Sequence, residues 1–152
     1  MILIKIGGGT AINLQGICKD IKQLSTDHQI ILMHGASATR DVLAQRLNTP
    51  TKTLTSPSGI ESVYTDQDAI DVFLMAYPGL VNKKIVAMLQ AHSVNALGLS
   101  GLDGKLLLAQ KKKDTYAVID GKTKLIRDNL TVKFISINTH LINTLIQNRY
   151  TP

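Results

Sequence analysis

Met1-Ile-Leu-Ile-Lys-Ile-Gly-Gly-Gly9 and, further on, Gln29-Ile-Ile-Leu-Met-His-Gly-Ala-Ser37 decide the fold. Each is a short apolar run that ends in glycine. Runs of this length, without polar alternation, form strands buried on both faces. Between them the apolar period changes: Leu14, Ile17, Cys18, Ile21 and Leu24 fall on one face of a helix, with Asn13 as its N-cap. A second helix follows Ser37. The pattern is strand, Gly turn, helix, strand, Gly turn, helix, so two parallel strands end side by side. Each feeds main-chain amides and a helix N-terminus into one crevice, which suits an anion, and Lys5 stands at its mouth.

Two familiar phosphate loops are excluded. A Walker loop needs Lys-Ser/Thr after its glycines, and here Lys5 precedes them. The dinucleotide pattern G-x-G-x-x-G starts at Gly7 and Gly9 but meets Ile12 at its third glycine. Lys-x-Gly-Gly on one strand and His-Gly on the next remain. Alone, Lys5 reads as a strand-end lysine reaching solvent and the glycines as a flexible turn. Together with the His34-Gly35 turn they read as a phosphate or substrate cradle.

Outward from this unit, the second helix runs from Ser37 to about Arg46. Thr51–Leu54 and Ile60–Tyr64 flank Ser56-Pro-Ser-Gly59, a hairpin signal. Thr65 or Asp66 caps a helix that turns Ala69, Ile70, Phe73, Ala76 and Tyr77 inward. Pro78-Gly79 breaks or kinks it. The next helix, Leu80 to Ala91, buries Leu80, Val81, Ile85, Met88 and Leu89, with Asn82 and Lys83 as polar-face or packing residues. Val94–Leu99 reads as a third buried strand. Gly98-Leu-Ser-Gly101 lacks the final glycine of a nucleophile elbow, where Leu102 stands, so it reads as a tight turn lining the crevice.

Lys105–Gln110, Tyr116–Ile119 and Lys122–Ile126 read as strands, the last two joined at Asp120-Gly121. This stretch carries Lys111, Lys112, Lys113, Lys122, Lys124 and Arg127, the densest basic cluster in the chain. It is either an edge protected by lysines or a docking surface for an acidic partner. Tyr116 is its only ring, which disfavours a single-strand nucleic-acid platform. Asn138 caps a last helix that buries Leu141, Ile142, Leu145 and Ile146.

At 152 residues, 44% of them hydrophobic and 4% aromatic, the chain suits one α/β domain. Seventeen basic against eleven acidic residues give a net charge of +6, which suits an acidic partner, whether nucleic acid, anionic metabolite or acidic protein. The single cysteine, Cys18, lies on an apolar helix face and reads as a buried thiol. His28, His92 and His140 show no metal-ligand spacing, and no metal site is expected. The first apolar run is too short for a signal peptide, and no run approaches membrane-spanning length. A cytoplasmic protein is expected.

Lys5-Ile-Gly-Gly, His34-Gly-Ala-Ser, Tyr64-Thr-Asp66, Gly79-Leu-Val-Asn-Lys83 and Gly98-Leu-Ser-Gly-Leu-Asp-Gly104 stand in an order and spacing that resembles the amino acid kinase family. Within it they are most similar to the acetylglutamate kinase branch, and there to its carrier-protein-dependent aminoadipate/glutamate kinases. The resemblance implies a three-layer α/β/α sandwich with a mainly parallel sheet. Residues 1–152 would be one amino-terminal substrate-binding domain with a basic hairpin insertion at about 105–127, and the nucleotide-binding half is not in this sequence.

The activity implied is transfer of the γ-phosphoryl of ATP, with Mg, to a carboxylate of aminoadipate, glutamate or N-acetylglutamate. Lys5 would stabilise the transition state, and Gly7, Gly8, Gly35 and Ala36 would bind phosphoryl oxygens and substrate. The implied partners are a LysW-type amino-group carrier, a separately encoded ATP-binding half and a second copy of the chain; nucleic acid and membrane are not among them. Two departures stand out. Val63 occupies the place of an arginine that clamps the substrate carboxylate, and the usual His-Gly-Gly reads His34-Gly35-Ala36. Alone, the chain is expected to be inactive.

Overall fold

The computed structural model describes residues 1–152. In chain order the elements are β1 (Ile2–Ile6), α1 (Leu14–Leu24), β2 (Ile30–His34), α2 (Ser37–Arg46), β3 (Thr53–Thr55), β4 (Glu61–Val63), α3 (Gln67–Leu74), α4 (Asn82–Ala91), β5 (Leu107–Lys111), β6 (Thr115–Ile119), β7 (Lys122–Ile126), β8 (Val132–Ile137) and α5 (Thr139–Gln147). β1 and β2 pair in parallel, from Ile2 opposite Ile30 to Ile6 opposite His34. Both therefore end where the glycine turns begin. The parallel sheet extends beyond β2 through Thr151–Pro152, which lies between β2 and Asn95–Leu97.

The core collects on one face of this sheet. Cys18 and Ile21 of α1 and Ile85 and Leu89 of α4 meet Ile30, Val94 and Ala96. Burying an Ile or Leu side chain of this kind stabilises by roughly 1.5–3 kcal/mol. On the opposite face Leu3 is 61% and Met33 51% exposed. Three helices are capped as the sequence predicts: Asn13, Asp66 and Asn138 accept from the main-chain N–H of Gly16, Ala69 and Leu141.

Several expectations need correction. Of the two outcomes expected at Pro78-Gly79, a break or a kink, the break does not occur. Met75–Val81 forms a π-helical turn that joins α3 to α4 without interruption. Proline offers no N–H, and a widened turn accommodates both the missing donor and its ring. The resulting helix, Gln67–Ala91, has 25 residues and is long and apolar enough to span a bilayer, contrary to the reading that no run approaches that length. Its Ala76, Val81, Ile85 and Leu89 are nevertheless part of the protein core. Leu80, expected inside, is at the surface because the π turn rotates it outward.

Val94–Leu99 makes only one bridge, Ala96 to Thr151. It meets Thr151 through Thr151 N donating to Asn95 O and Leu97 N donating to Thr151 O. β5 begins at Leu107, after a 3-10 turn over Asp103–Lys105 in which Gly104 has φ +56°. β5 pairs with β8, a strand not anticipated, through an antiparallel ladder with a shift between Leu108 and Ala109. The basic hairpin proper is therefore β6–β7, closed at Asp120-Gly121, both with positive φ as a two-residue hairpin turn requires. Lys111 belongs to the neighbouring ladder.

Candidate functional site

The two glycine turns touch through their main chains. A Cβ on Gly8 would fall 2.5 Å from Ser37 N and 2.6 Å from Ala36 N. One on Gly35 would fall 2.8 Å from Gly8 N. Gly8 O accepts from Ala38 N at 2.9 Å, in the first turn of α2. Only glycine permits this approach at positions 8 and 35, because both sides of the contact are backbone and cannot yield. Gly7 is different: its added Cβ would meet Ile12 Cδ1 at an ordinary 3.6 Å, and Gly9 faces open space.

The predicted site residues are brought together unequally. Gly8, Gly35 and Ala36 form one cluster. Ala36 is buried in the core and its side chain packs there, so only its main chain faces the turn. Lys5 is exposed, lies opposite Met33 in the β1–β2 register, and makes no ion pair. It alternates with the inward Ile4 and Ile6, so it projects from the face that carries Leu3. Val63, the second residue of concern, is half-buried at the end of β4, opposite Thr53.

A second set of polar residues joins the site from α4 and the segment after Val94. Lys83 Nζ donates to Asn82 Oδ1 at 3.1 Å and to Gly98 O at 3.2 Å. With its oxygen engaged by a cation, Asn82 turns its amide nitrogen to His34 Nε2, 3.3 Å away. His34 then accepts at Nε2 and carries its proton on Nδ1, which faces Gly35 O at 3.3 Å. Asn82 is buried and a Cβ on Gly98 would collide with its carboxamide oxygen, so glycine at 98 is a condition of the link. The Ser100 hydroxyl and Ser100 N–H both donate to Asp103, at 2.7 and 2.6 Å. Those bonds, and then the charge of Lys83, hold the Asp103 carboxyl below the usual carboxylate range.

The sequence reading had left Asn82 and Lys83 as packing or polar-face residues. The available signal was a polar pair at the start of a helix whose neighbours are core positions. A buried asparagine there needs partners, and the strand-end His34 supplies one.

Tyr64 stands at the other side of the domain's hairpin. Its phenol donates to the Asp128 carboxylate, and this bond, with partial burial and the charges of Asp128 and Asp66, pushes its pKa up to about 12. Thr65 is fastened to the same segment: its N–H donates to the buried Asn129 Oδ1, and its carbonyl accepts from Leu130 N at 2.7 Å. The Tyr64-Thr-Asp66 stretch thus ties β4, the start of α3 and the chain before β8 together.

A description of the amino acid kinase family matches residues 1–152. The [LysW]-aminoadipate kinase of Thermus thermophilus is 39% identical over all of this chain and 57% of its own length. The [LysW]-aminoadipate/[LysW]-glutamate kinase of Saccharolobus solfataricus is 38% identical over 97% of this chain and 55% of its own. The chain thus spans about half the length of the curated relatives it matches. Among solved structures, smu.665 from Streptococcus mutans superposes with a TM-score of 0.69 at 19% identity, over 99% of this chain and 56% of that one. N-acetylglutamate synthase from Neisseria gonorrhoeae, complexed with coenzyme A and L-arginine, gives 0.58 at 17% identity, over 98% and 33%. These two speak for the fold alone. Parallel strands ending in touching glycine turns, and a family match over the full sequence, lead to one conclusion: the chain belongs to the amino acid kinase family.

Proposed function

We propose that this chain is the substrate half of an ATP-dependent kinase that phosphorylates the side-chain carboxylate of carrier-bound aminoadipate or glutamate, or of N-acetylglutamate, in lysine or arginine biosynthesis. The observation that carries the reading is the main-chain contact of Gly8 with Gly35 to Ser37 at the end of two parallel strands. Such a junction leaves amides and a helix N-terminus for the oxygens of a transferring phosphoryl group. Lys5, exposed and free of ion pairs, is the fixed cation that would meet the charge spread over those oxygens. The Lys83–Asn82–His34 link would keep the Gly35 turn in one orientation.

ATP with Mg is the phosphoryl donor the family implies. The turn amides fit its terminal phosphate. Mg accompanies the nucleotide by contacting its phosphates and one or two carboxylates, so it needs no all-protein cage. The chain would act only together with an ATP-binding half. A LysW-type carrier, acidic in character, would dock on the basic surface of Lys111–Lys113 and the β6–β7 hairpin, and the assembly would be a homo-oligomer in the cytoplasm.

Val63 supports a second reading. A valine cannot offer the two-pronged bond that an arginine gives a carboxylate, so the fold would bind an acidic carrier or an anionic metabolite without catalysis. One assay separates the two: ATP-dependent acyl-phosphate formation on a glutamate- or aminoadipate-loaded carrier, with the chain alone and with an ATP-binding half added. Turnover in the mixture, lost by at least about a hundredfold in Lys5→Ala, supports the kinase. Carrier binding with no turnover in the mixture supports the second reading.

A further inference from the structure

Gly35 C=O and Ala36 N–H belong to a single trans peptide, so they point in opposite directions from one rigid plane. Ala36 is 2% exposed, and its N–H meets no acceptor within the fold. Buried amides without partners are rare, and one at a helix entry is set to receive an anion. The direction of this N–H therefore matters, and α2 has no side-chain cap to set it. The Gly35 N–H bond to Ile6 O belongs to the preceding peptide, so it leaves the Gly35–Ala36 plane free to turn about the glycine.

The plane is held at its carbonyl end, by a chain of bonds whose polarity is fixed at the far end. Lys83 Nζ has only hydrogens to offer, so both its partners, Asn82 Oδ1 and Gly98 O, are acceptors. The Asn82 amide is thereby kept from flipping and presents N–H to His34 Nε2. Nε2 must accept, the ring hydrogen goes to Nδ1, and Nδ1–H faces Gly35 O. Both of these last links are 3.3 Å long, so their force lies in excluding the alternative. With the hydrogen on Nε2, two N–H groups would face each other, and the Nδ1 lone pair would face the Gly35 carbonyl oxygen. Rotation of the Gly35–Ala36 plane would relieve the second clash and turn the Ala36 amide away.

We propose that Asn82 and Lys83 are positioning residues of this site: they keep the His34 hydrogen on Nδ1, and that hydrogen sets the aim of the Ala36 N–H. The target is an oxyanion seated beside Gly8, whose missing Cβ would stand 2.6 Å from the Ala36 nitrogen. The class of that ligand, a phosphoryl or carboxylate oxygen, rests on the kinase reading; the control of the amide does not. Both residues act from α4 through the imidazole and not by contact with the ligand.

The test uses the isotope-labelled chain with the variants Asn82→Leu, Lys83→Met and Lys83→Arg. Lys83 is exposed, so its replacement leaves the packing intact even where Asn82→Leu fails to fold. Long-range nitrogen–proton spectra of the neutral His34 ring place the hydrogen. Residual dipolar couplings give the direction of the Ala36 N–H, and inorganic phosphate is the binding probe. The unaltered chain carries the hydrogen on Nδ1. Lys83→Met and Asn82→Leu admit the Nε2–H form, change the Ala36 coupling and weaken phosphate binding at that amide by about tenfold, the scale of one charge-assisted hydrogen bond. Lys83→Arg, which still donates to Asn82, keeps all three as in the unaltered chain. Hydrogen on Nε2 in the unaltered chain, or an unchanged ring and Ala36 coupling in Lys83→Met, overturns the proposal. If ring and coupling respond while phosphate leaves the Ala36 amide of the unaltered chain unmoved, the positioning role stands and the anion reading of the turns falls.

Discussion

Gly8 and Gly9 are neighbours of one residue type with opposite demands. The first has two α2-entry amides within 2.6 Å of where its Cβ would be, and the second has nothing within 4 Å. Gly8→Ala is expected to cost about 2–4 kcal/mol of stability, in the range reserved for overpacking and backbone strain. Gly9→Ala is expected to stay within about 0.5 kcal/mol. Urea midpoints of the two variants check this. At Tyr64, the folded pKa of about 12 exceeds the ordinary value of 10.0. The folded state therefore holds its proton more tightly, and the stability gained is fully present below pH 10. It is lost as pH rises from 10 toward 12. Titration at 295 nm should show one of the four tyrosines ionising near 12, and Asp128→Asn should return it toward the ordinary value. The importance of positions 8 and 35 was legible from Lys-x-Gly-Gly and His-Gly. The pairing of Tyr64 with Asp128 was not, because the two stand 64 positions apart in the chain and no local period connects them.

Elements were legible where caps and periodicity agree. Asn13, Asp66 and Asn138 each precede an apolar run of helical spacing, and each accepts the predicted kind of bond. Asp66→Ala is expected to destabilise by about 1 kcal/mol, as measured by thermal unfolding. It should not change the long helix beyond its first turn by circular dichroism. Elements were misread where the deciding partner is remote. Val132–Ile137 carries a strand pattern interrupted by Lys133 and Ser136, and only pairing with β5 makes it a strand. Val94–Leu99 has the apolar run of a strand, yet it finds only Thr151 beside it. Proline at 78 signals an interruption, and the long-range core contacts of Ala76 and Val81 convert it into a π turn within one helix.

The whole molecule carries its positive charge unevenly. Lys111, Lys112, Lys113, Lys122, Lys124 and Arg127 fall between the end of β5 and the end of the β6–β7 hairpin, and Asp120 pairs only with Lys124, at an exposed 3.4 Å. Surface pairs of that kind contribute little, so the cluster presents most of its charge outward. Reversal of Lys111, Lys112 and Lys113 to glutamate together should abolish salt-sensitive binding of an acidic carrier by calorimetry while leaving the urea midpoint unchanged; unaltered binding would remove this surface from consideration. The layered α/β character and the parallel β1–β2 pair followed from two apolar runs and their glycines. The division of the basic stretch between two ladders did not, since antiparallel pairing with β8 depends on residues beyond that stretch. Cys18 has a further use at this scale. It is fully buried beside Ile21 in the common core, and burial raises its thiol pKa. The chain's one sulfhydryl is therefore a natural clock: its rate of capture by a disulfide dye counts how often the entire core parts.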